Sequence, residues 1–392
     1  MTRRRRGRRK RALTRLLIAA LCVGVGAVAF RALLPRFDST SPPRPPESSS
    51  TSTTTGSAGS TAPSTTVTTT TAVTSTTQTS TPGLGDRPSH LVQAGDSKAA
   101  CITDEPGPGL EAVQAATGLT YNCLETFTDS DKTWADWVNP WIAGKSGGAY
   151  QRWVAADPTG HQLIDTQNLI PDSEKSNSSW TEQCAAGAYN SYAEQFAARM
   201  VSAGFDYAIV RLGHEMNGTW ENDSLGTTVS QWRAWGECFD QEVTAMRAVP
   251  GSHFLFDWSI NEGYRNIPLA DYYPGDSYVD IVGISLYDQS GYPLPKIGSP
   301  ARWQALTSEP MGLNVVYAFA VLHHKPLGIP EWGTVSTQGD DASYVVSVAD
   351  FISRNDIAYQ SWFDAGDFHI YQLSSAAPRS LAAYIRTIAN GR

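Results

Sequence analysis

No Cys-x-x-Cys pair occurs in the 392 residues, no glycine-rich loop follows the first strand-like segment, and basic side chains are scarce beyond the N-terminus. The first absence gives no support for a zinc site, so neither a metal nor another cofactor is expected. The second removes the phosphate-binding turn of an open doubly wound sheet, the rival architecture considered below. The third is quantitative: residues 86–392 hold 18 Lys and Arg against 36 Asp and Glu, a formal charge of −18. Such a field argues against nucleic acid and anionic membrane surfaces as partners and makes a neutral substrate the easier fit.

What basic charge there is clusters at the start. Arg3–Arg6, Arg8, Arg9, Lys10, Arg11 and Arg15 precede an apolar run from Leu16 to Phe30. Arginines of this kind stay cytoplasmic, so 1–15 reads as a cytoplasmic segment and 16–34 as a hydrophobic signal-anchor, with Arg31 snorkelling to let Ala32–Leu34 complete a helix. Cleavage after Ala27-Val28-Ala29 as a signal peptide is the alternative. Residues 35–85 are dominated by Ser, Thr and Pro and read as a disordered stalk, since they cannot bury enough apolar surface to offset ordering. The expected location is therefore outside the cell, tethered or released. Residues 86–392 show no second linker and no short-period repeat, and suit one large α/β domain acting as a monomer.

Cysteine usage agrees with export. Cys101, Cys123, Cys184 and Cys238 allow three pairings, and Cys101–Cys123 with Cys184–Cys238 close the shorter loops.

Within the block, strand-like and helix-like segments alternate, the pattern of a parallel α/β fold. Strands are expected at 205–213, 253–260, 279–287, 326–333 and 357–363. Helices are expected at 189–203, 229–247, about 311–323, around Val345–Ile352 and around Leu381–Ile388. The Trp-rich region before 189 can supply three more strands at 119–127, 150–156 and 162–167. Eight strands with eight helices in about 300 residues make a (β/α)8 TIM barrel.

Barrel chemistry stands at the C-terminal ends of strands, and four such ends carry polar or acidic residues: Arg211–Trp220, Ser285–Asp288, Pro330–Gly333 and Gln360–Asp364. Alternation turns Ala208, Val210 and Leu212 toward the helices and Arg211, Gly213 and Glu215 into the mouth. Glu215 and Glu331 then fall on the fourth and seventh strands. Retaining hydrolysis of a glycosidic bond needs two carboxyls about 5–5.5 Å apart, one protonated and one ionised. Arg211 and Tyr287 are available to hold one of them ionised. Glu262, in Asn261-Glu262, is a rival acid/base without an Arg four residues earlier.

The motifs Arg211-x-x-His214-Glu215-x-Asn217-Gly218-x-Trp220 and Pro330-Glu331-x-Gly333 resemble glycoside hydrolase family 26 and, more loosely, the clan of retaining barrel glycosidases. The resemblance implies Glu215 as acid/base and Glu331 as nucleophile, with Tyr287 hydrogen-bonded to the latter. It further implies that His214 contacts the sugar, that Trp220 and Trp362 are stacking platforms, and that Arg211 and Asn217 are supports. The implied substrate is a β-linked polysaccharide, most often β-mannan. Two departures are expected to lie beside the sugar path and leave the glycan open: Glu221-Asn222-Asp223 stands where aromatics are frequent, and Trp332 where Phe is common.

Other chemistries lack parts. Gly218 stands where a zinc-protease helix needs its second His, and Gly283-Ile-Ser285-Leu-Tyr287 lacks the final Gly of a nucleophile elbow. A barrel that only binds glycan and a transglycosylase using the same carboxylates remain as alternatives.

Overall fold

The computed structural model describes residue 92 and residues 97–129, 131–290, 292–365, 370–373, 375 and 377–390, all within the compact unit Thr81–Arg392. The expected cytoplasmic, hydrophobic and stalk segments lie outside the described residues.

Eight parallel strands close into a barrel in chain order. They are β1 Ala99–Ile102, β2 Cys123–Phe127, β3 Gln162–Gln167, β4 Ile209–Leu212, β5 Leu255–Asn261, β6 Ile281–Tyr287, β7 Leu327–Gly333 and β8 Ile357–Trp362. The number eight was expected, but one member differs. Residues 150–156 belong to the helix Gly148–Ala156, and the eighth strand is β1. Tyr150 and Val154, four apart, are the buried residues of that helix, which is helical spacing rather than alternation. The helix count also differs, because the β5–β6 connection carries only the 3-10 turn Leu269–Asp271 among its described residues.

Helix formation follows local chemistry. In Val229–Arg247, Thr228 caps the N-terminus and exchanges hydrogen bonds with Gln231 in a capping box. Trp235, Cys238, Phe239, Glu242, Val243 and Met246 form its buried face at three- and four-residue spacing. Cys238 is joined to Cys184 on the helix Trp180–Ala185, two helices earlier in the chain, and Cys101 of β1 to Cys123 of β2. These bonds close loops of 54 and 22 residues. Loop-closure entropy assigns about 4 kcal/mol to the longer one. Cys184→Ala with Cys238→Ala should therefore lower unfolding free energy by roughly that amount, read in urea titrations, with a steeper slope because the unbridged denatured chain exposes more surface.

Strand parity builds the interior in layers. Leu124, Leu163, Val210, Leu212, Phe256, Trp258, Ile284 and Ile329 face the helices. Cys101, Cys123, Ile164, Ile209, Leu255, Ile281 and Tyr359 pack together inside the barrel floor. The next layer up is polar, with Glu125, Thr166, Arg211, Asp257, Ser259, Ser285 and Ser361 all buried. Asp257 accepts a hydrogen bond from the Tyr359 hydroxyl. A side chain at Gly283 or Gly328 would collide with the Asp257 carboxylate, so glycine there leaves the room that the carboxylate fills.

Candidate active site

The site rises from this polar layer. Arg211, projecting inward from β4, is fully buried and spends its guanidinium on four partners. Its Nε donates to Ser259 Oγ and its second terminal nitrogen to Ser285 Oγ, each at 2.7 Å. Its Nη1 donates to Glu331 Oε1 and lies 3.5 Å from Glu125 Oε1. Burial works against the arginine charge, but Glu331 and Glu125 more than offset it, so Arg211 stays cationic. The other Glu331 oxygen accepts from the Tyr287 hydroxyl at 2.7 Å. Burial, and then the negative charge of Glu331, push the Tyr287 pKa well up and keep that hydroxyl a donor.

Glu215 is placed by an unusual turn. β4 ends at Leu212, after which Gly213 and Glu215 both adopt left-handed backbone, at φ 63° and 51°. For glutamate this conformation is strained by about 1–3 kcal/mol, and it is held by Glu215 N–H donating to Ser259 O at 2.9 Å. At Gly213 a Cβ would stand 2.6 Å from the Trp235 ring, so glycine is required on packing grounds as well. The Glu215 carboxyl accepts from Trp220 Nε1 at 2.7 Å and Asn261 Nδ2 at 3.0 Å. Asn217 fixes Asn261 from behind: Asn217 Nδ2 donates to Asn261 O and Asn261 N–H donates to Asn217 Oδ1, both at 2.8 Å. Burial, and next the charge on Glu331, raise the Glu215 pKa, while Arg211 and Asn261 pull the other way.

Two neighbouring carboxyls thus differ in environment. Glu331 sits against a cation and a phenol, whereas Glu215 sits against neutral N–H donors in a largely dehydrated wall. The second surroundings favour a protonated group.

Residues 192–299, which span the β4 turn and β6, match the family model of glycosyl hydrolase family 26. The chain is a glycoside hydrolase, similar to family 26 over that stretch. The matched stretch contains Arg211, Glu215 and Tyr287, while Glu331 lies beyond it. Solved structures agree in fold. The catalytic domain of a Bacillus sp. JAMB-750 endo-β-1,4-mannanase superposes with a TM-score of 0.53 at 18% identity, covering 74% of this chain and 85% of its own. A β-mannanase from Bacteroides ovatus gives 0.52 at 14% identity, with 75% and 89% covered. No curated protein sequence matches the chain.

In this barrel several expected site residues come together: Arg211, Glu215, Asn217, Tyr287 and Glu331 form one connected network, and Trp220 joins it at the rim. Trp220 is 42% exposed and meets Tyr264 edge-on at 4.8 Å. His214 lies beside them, 3% exposed, with its ring edge-on to Phe127.

Trp362 does not join them. It is fully buried, packs against Trp332 and Tyr384, and donates from Nε1 to Tyr371 O. On β8 Ser361 approaches Thr103 inside the barrel, so Gln360 and Trp362, of opposite parity, point to the helices. Its expected role as a sugar platform is therefore withdrawn. Trp332 likewise points outward and donates to Gln360 Oε1, so it is not beside the sugar path.

Two acidic residues at these strand ends, Asp288 and Asp364, are structural. Asp288 is bonded by Arg302 Nε at 2.6 Å, and Asp364 caps the backbone N–H of Leu373 at 2.6 Å. Glu262 is 3% exposed, with Glu309 as its main charged neighbour, and it is Asn261 that bonds Glu215.

Sequence reasoning missed Glu125 and Asp257. Burial pushes the first up to about 8 and the second to about 7, in each case against the pull of Arg211. The parity of Cys123, Glu125 and Phe127 on β2 was a usable signal for the former. Among the described residues two groups bring three ligand atoms close enough to converge on an ion. One, Cys184, Cys238 and Glu242, has its sulfurs spent in a disulfide. The other is Asp129, His214 and Glu221.

Proposed function

We propose that this glycoside hydrolase cuts β-linked polysaccharide, of β-mannan or related type, within the chain and with retention, using Glu331 as nucleophile and Glu215 as acid/base. The observation that carries the reading is the unequal support of the two carboxyls, with Arg211 and Tyr287 on Glu331, and Trp220 and Asn261 on Glu215. Glu331 attacks the anomeric carbon while Glu215 gives its proton to the departing glycosidic oxygen. Glu215 then takes a proton from the water that releases the glycosyl group. Trp220 offers an exposed ring face on which a pyranose can stack, and His214 contacts the sugar beside it. The enzyme works outside the membrane as a monomer, held by residues 16–34 or released from them.

The test is sugar release from β-mannan, galactomannan, mixed-linkage glucan and xylan, with the first-formed anomer read by NMR. Retention supports two-step displacement; inversion, or glycan binding without cleavage, sinks it. The pH profile adds a second check. An acid whose pKa is raised stays protonated to higher pH, so the alkaline limb of kcat/KM should lie above the ordinary glutamate value of about 4.3. A limb at or below that value would remove Glu215 from the acid role.

A further inference from the structure

Among the described residues three aromatic side chains are largely exposed, Trp220, Tyr264 and Tyr292, one on each of the loops that leave the C-terminal ends of β4, β5 and β6. Two of them meet: Trp220 and Tyr264 stand edge-on, with their planes at 68°. Neither ring is loose. Trp220 Nε1 donates to Glu215 at 2.7 Å, and the indole lies so close over Gly218 that a Cβ there would stand 2.5 Å from it. The Tyr264 hydroxyl is 3.3 Å from Thr219 Oγ1. The two loops are also tied to each other, by the paired bonds of Asn217 with Asn261 and by Arg265, which donates to Leu225 O and Gly226 O, each at 2.9 Å. Two adjoining rings fixed this firmly and left uncovered are a preorganised apolar contact, because their ordering cost is met before a ligand arrives.

From this we infer that Tyr264 is a specificity-determining residue: with Trp220 it builds a two-sided aromatic corner for the sugar on the leaving side of the cleaved bond. The corner directs the enzyme to glycosyl leaving groups and glycosyl acceptors. The inference rests on the hydrolase reading and deepens it, since that reading gives a sugar contact to Trp220 but none to Tyr264. The side follows from the hydrogen bonds. Glu331, with Arg211 and Tyr287, faces the anomeric carbon of the sugar being transferred, whereas the Trp220 indole is bonded to the carboxyl that protonates the departing oxygen. A pyranose laid against that indole is therefore the one that carries the departing oxygen. Two rings at a steep angle meet it on a C–H face and along one edge, a contact that a small leaving group cannot reach. The same corner serves the second step. Once Glu331 holds the glycosyl group as an ester, a sugar in the corner presents a hydroxyl oxygen to the anomeric carbon. The ester bond breaks, a glycosidic bond forms, and the hydroxyl proton passes to Glu215.

The test compares the full-length protein with its Tyr264→Ala and Tyr264→Phe forms. The substrates are a hexasaccharide and a β-disaccharyl fluoride of whichever of β-mannan, mixed-linkage glucan and xylan the enzyme cleaves. Fluoride departs without touching the corner, so it reports on the rest of the site. Tyr264→Ala should lose about 10-fold more in kcat/KM on the hexasaccharide than on the fluoride. With the fluoride as donor and added disaccharide as acceptor, the ratio of transfer to hydrolysis should fall by a similar factor. Tyr264→Phe should restore both ratios to within about twofold, because the ring rather than its hydroxyl forms the wall. An unchanged hexasaccharide-to-fluoride ratio in Tyr264→Ala overturns the inference, whether both activities fall together, as for a mere support of Trp220 and Glu215, or neither falls. No sugar release from any glycan by the unsubstituted enzyme would instead remove the hydrolase reading, and this one with it.

Discussion

Glu331→Ala is expected to lower kcat by about 10⁴-fold or more on any glycan the enzyme cleaves, because no other carboxylate is placed to form the glycosyl intermediate. Glu125 is the nearest alternative, but it is fully buried beneath Arg211 and raised to about 8, so at neutral pH it is mostly protonated. Glu215→Gln should cost about 10²–10⁴-fold on natural substrates. That loss should be much smaller for the first step with aryl glycosides whose leaving group needs no proton. The two roles separate chemically: azide should rescue Glu331→Ala to a glycosyl azide of inverted configuration, and the Glu215 variant to one of retained configuration. Steady-state kinetics with NMR of the products read both. Equal, modest losses in both variants with no azide product would reduce the pair to structural ion-pair partners.

Arg211→Met should destabilise the domain by about 3–5 kcal/mol at neutral pH, because it leaves Glu331 without its buried cation and Ser259 and Ser285 without their donor in a dry interior. The sign with pH follows from the protons. Burial already lifts Glu125 to about 8, and loss of the guanidinium lifts it further. A carboxyl whose pKa is raised on folding binds more protons in the native state, so its penalty grows as pH rises and is relieved as pH falls through its folded value. Below about pH 8 both proteins carry Glu125 protonated, so the variant's deficit relative to the unsubstituted protein should widen as pH rises above about 8, in urea titrations with unchanged slope. Arg211→Lys separates charge from geometry. It should retain much of the stability, yet lose kcat, because a point ammonium cannot hold Ser259, Ser285 and Glu331 at once. A pH-independent deficit in Arg211→Met would mean that lost packing, not uncompensated charge, dominates.

Most of the barrel was legible because burial writes periodicity into the chain. Inside-outside alternation at 208–212 correctly sent Arg211 inward, and of the stripe at 193, 196, 197, 200 and 201 the first four became the buried face of the helix Asn190–Ser202, with Val201 half-buried at its edge. The helix Gly148–Ala156 was mistaken for a strand because seven residues with aromatics and a valine satisfy either period. β1, only four residues long, is too short to show alternation at all. The same ambiguity misplaced Trp362: position near a strand end was read as access to the mouth, but parity on β8 sends it to the helices.

The sequence by itself determined the eight-strand count, the cysteine pairs that the structure contains, and the two glutamates with the arginine and tyrosine beside one of them. Those features are local in sequence or set by period and loop length. Only the tertiary structure decided that Glu125 shares Arg211 with Glu331, that Asn217 acts on Glu215 through Asn261, and that Asp129 and Glu221 face one histidine. Barrel closure brings residues 86 and 120 positions from Arg211 onto a single guanidinium. No sequence period encodes such a meeting, because it depends on how eight strand ends converge on one axis.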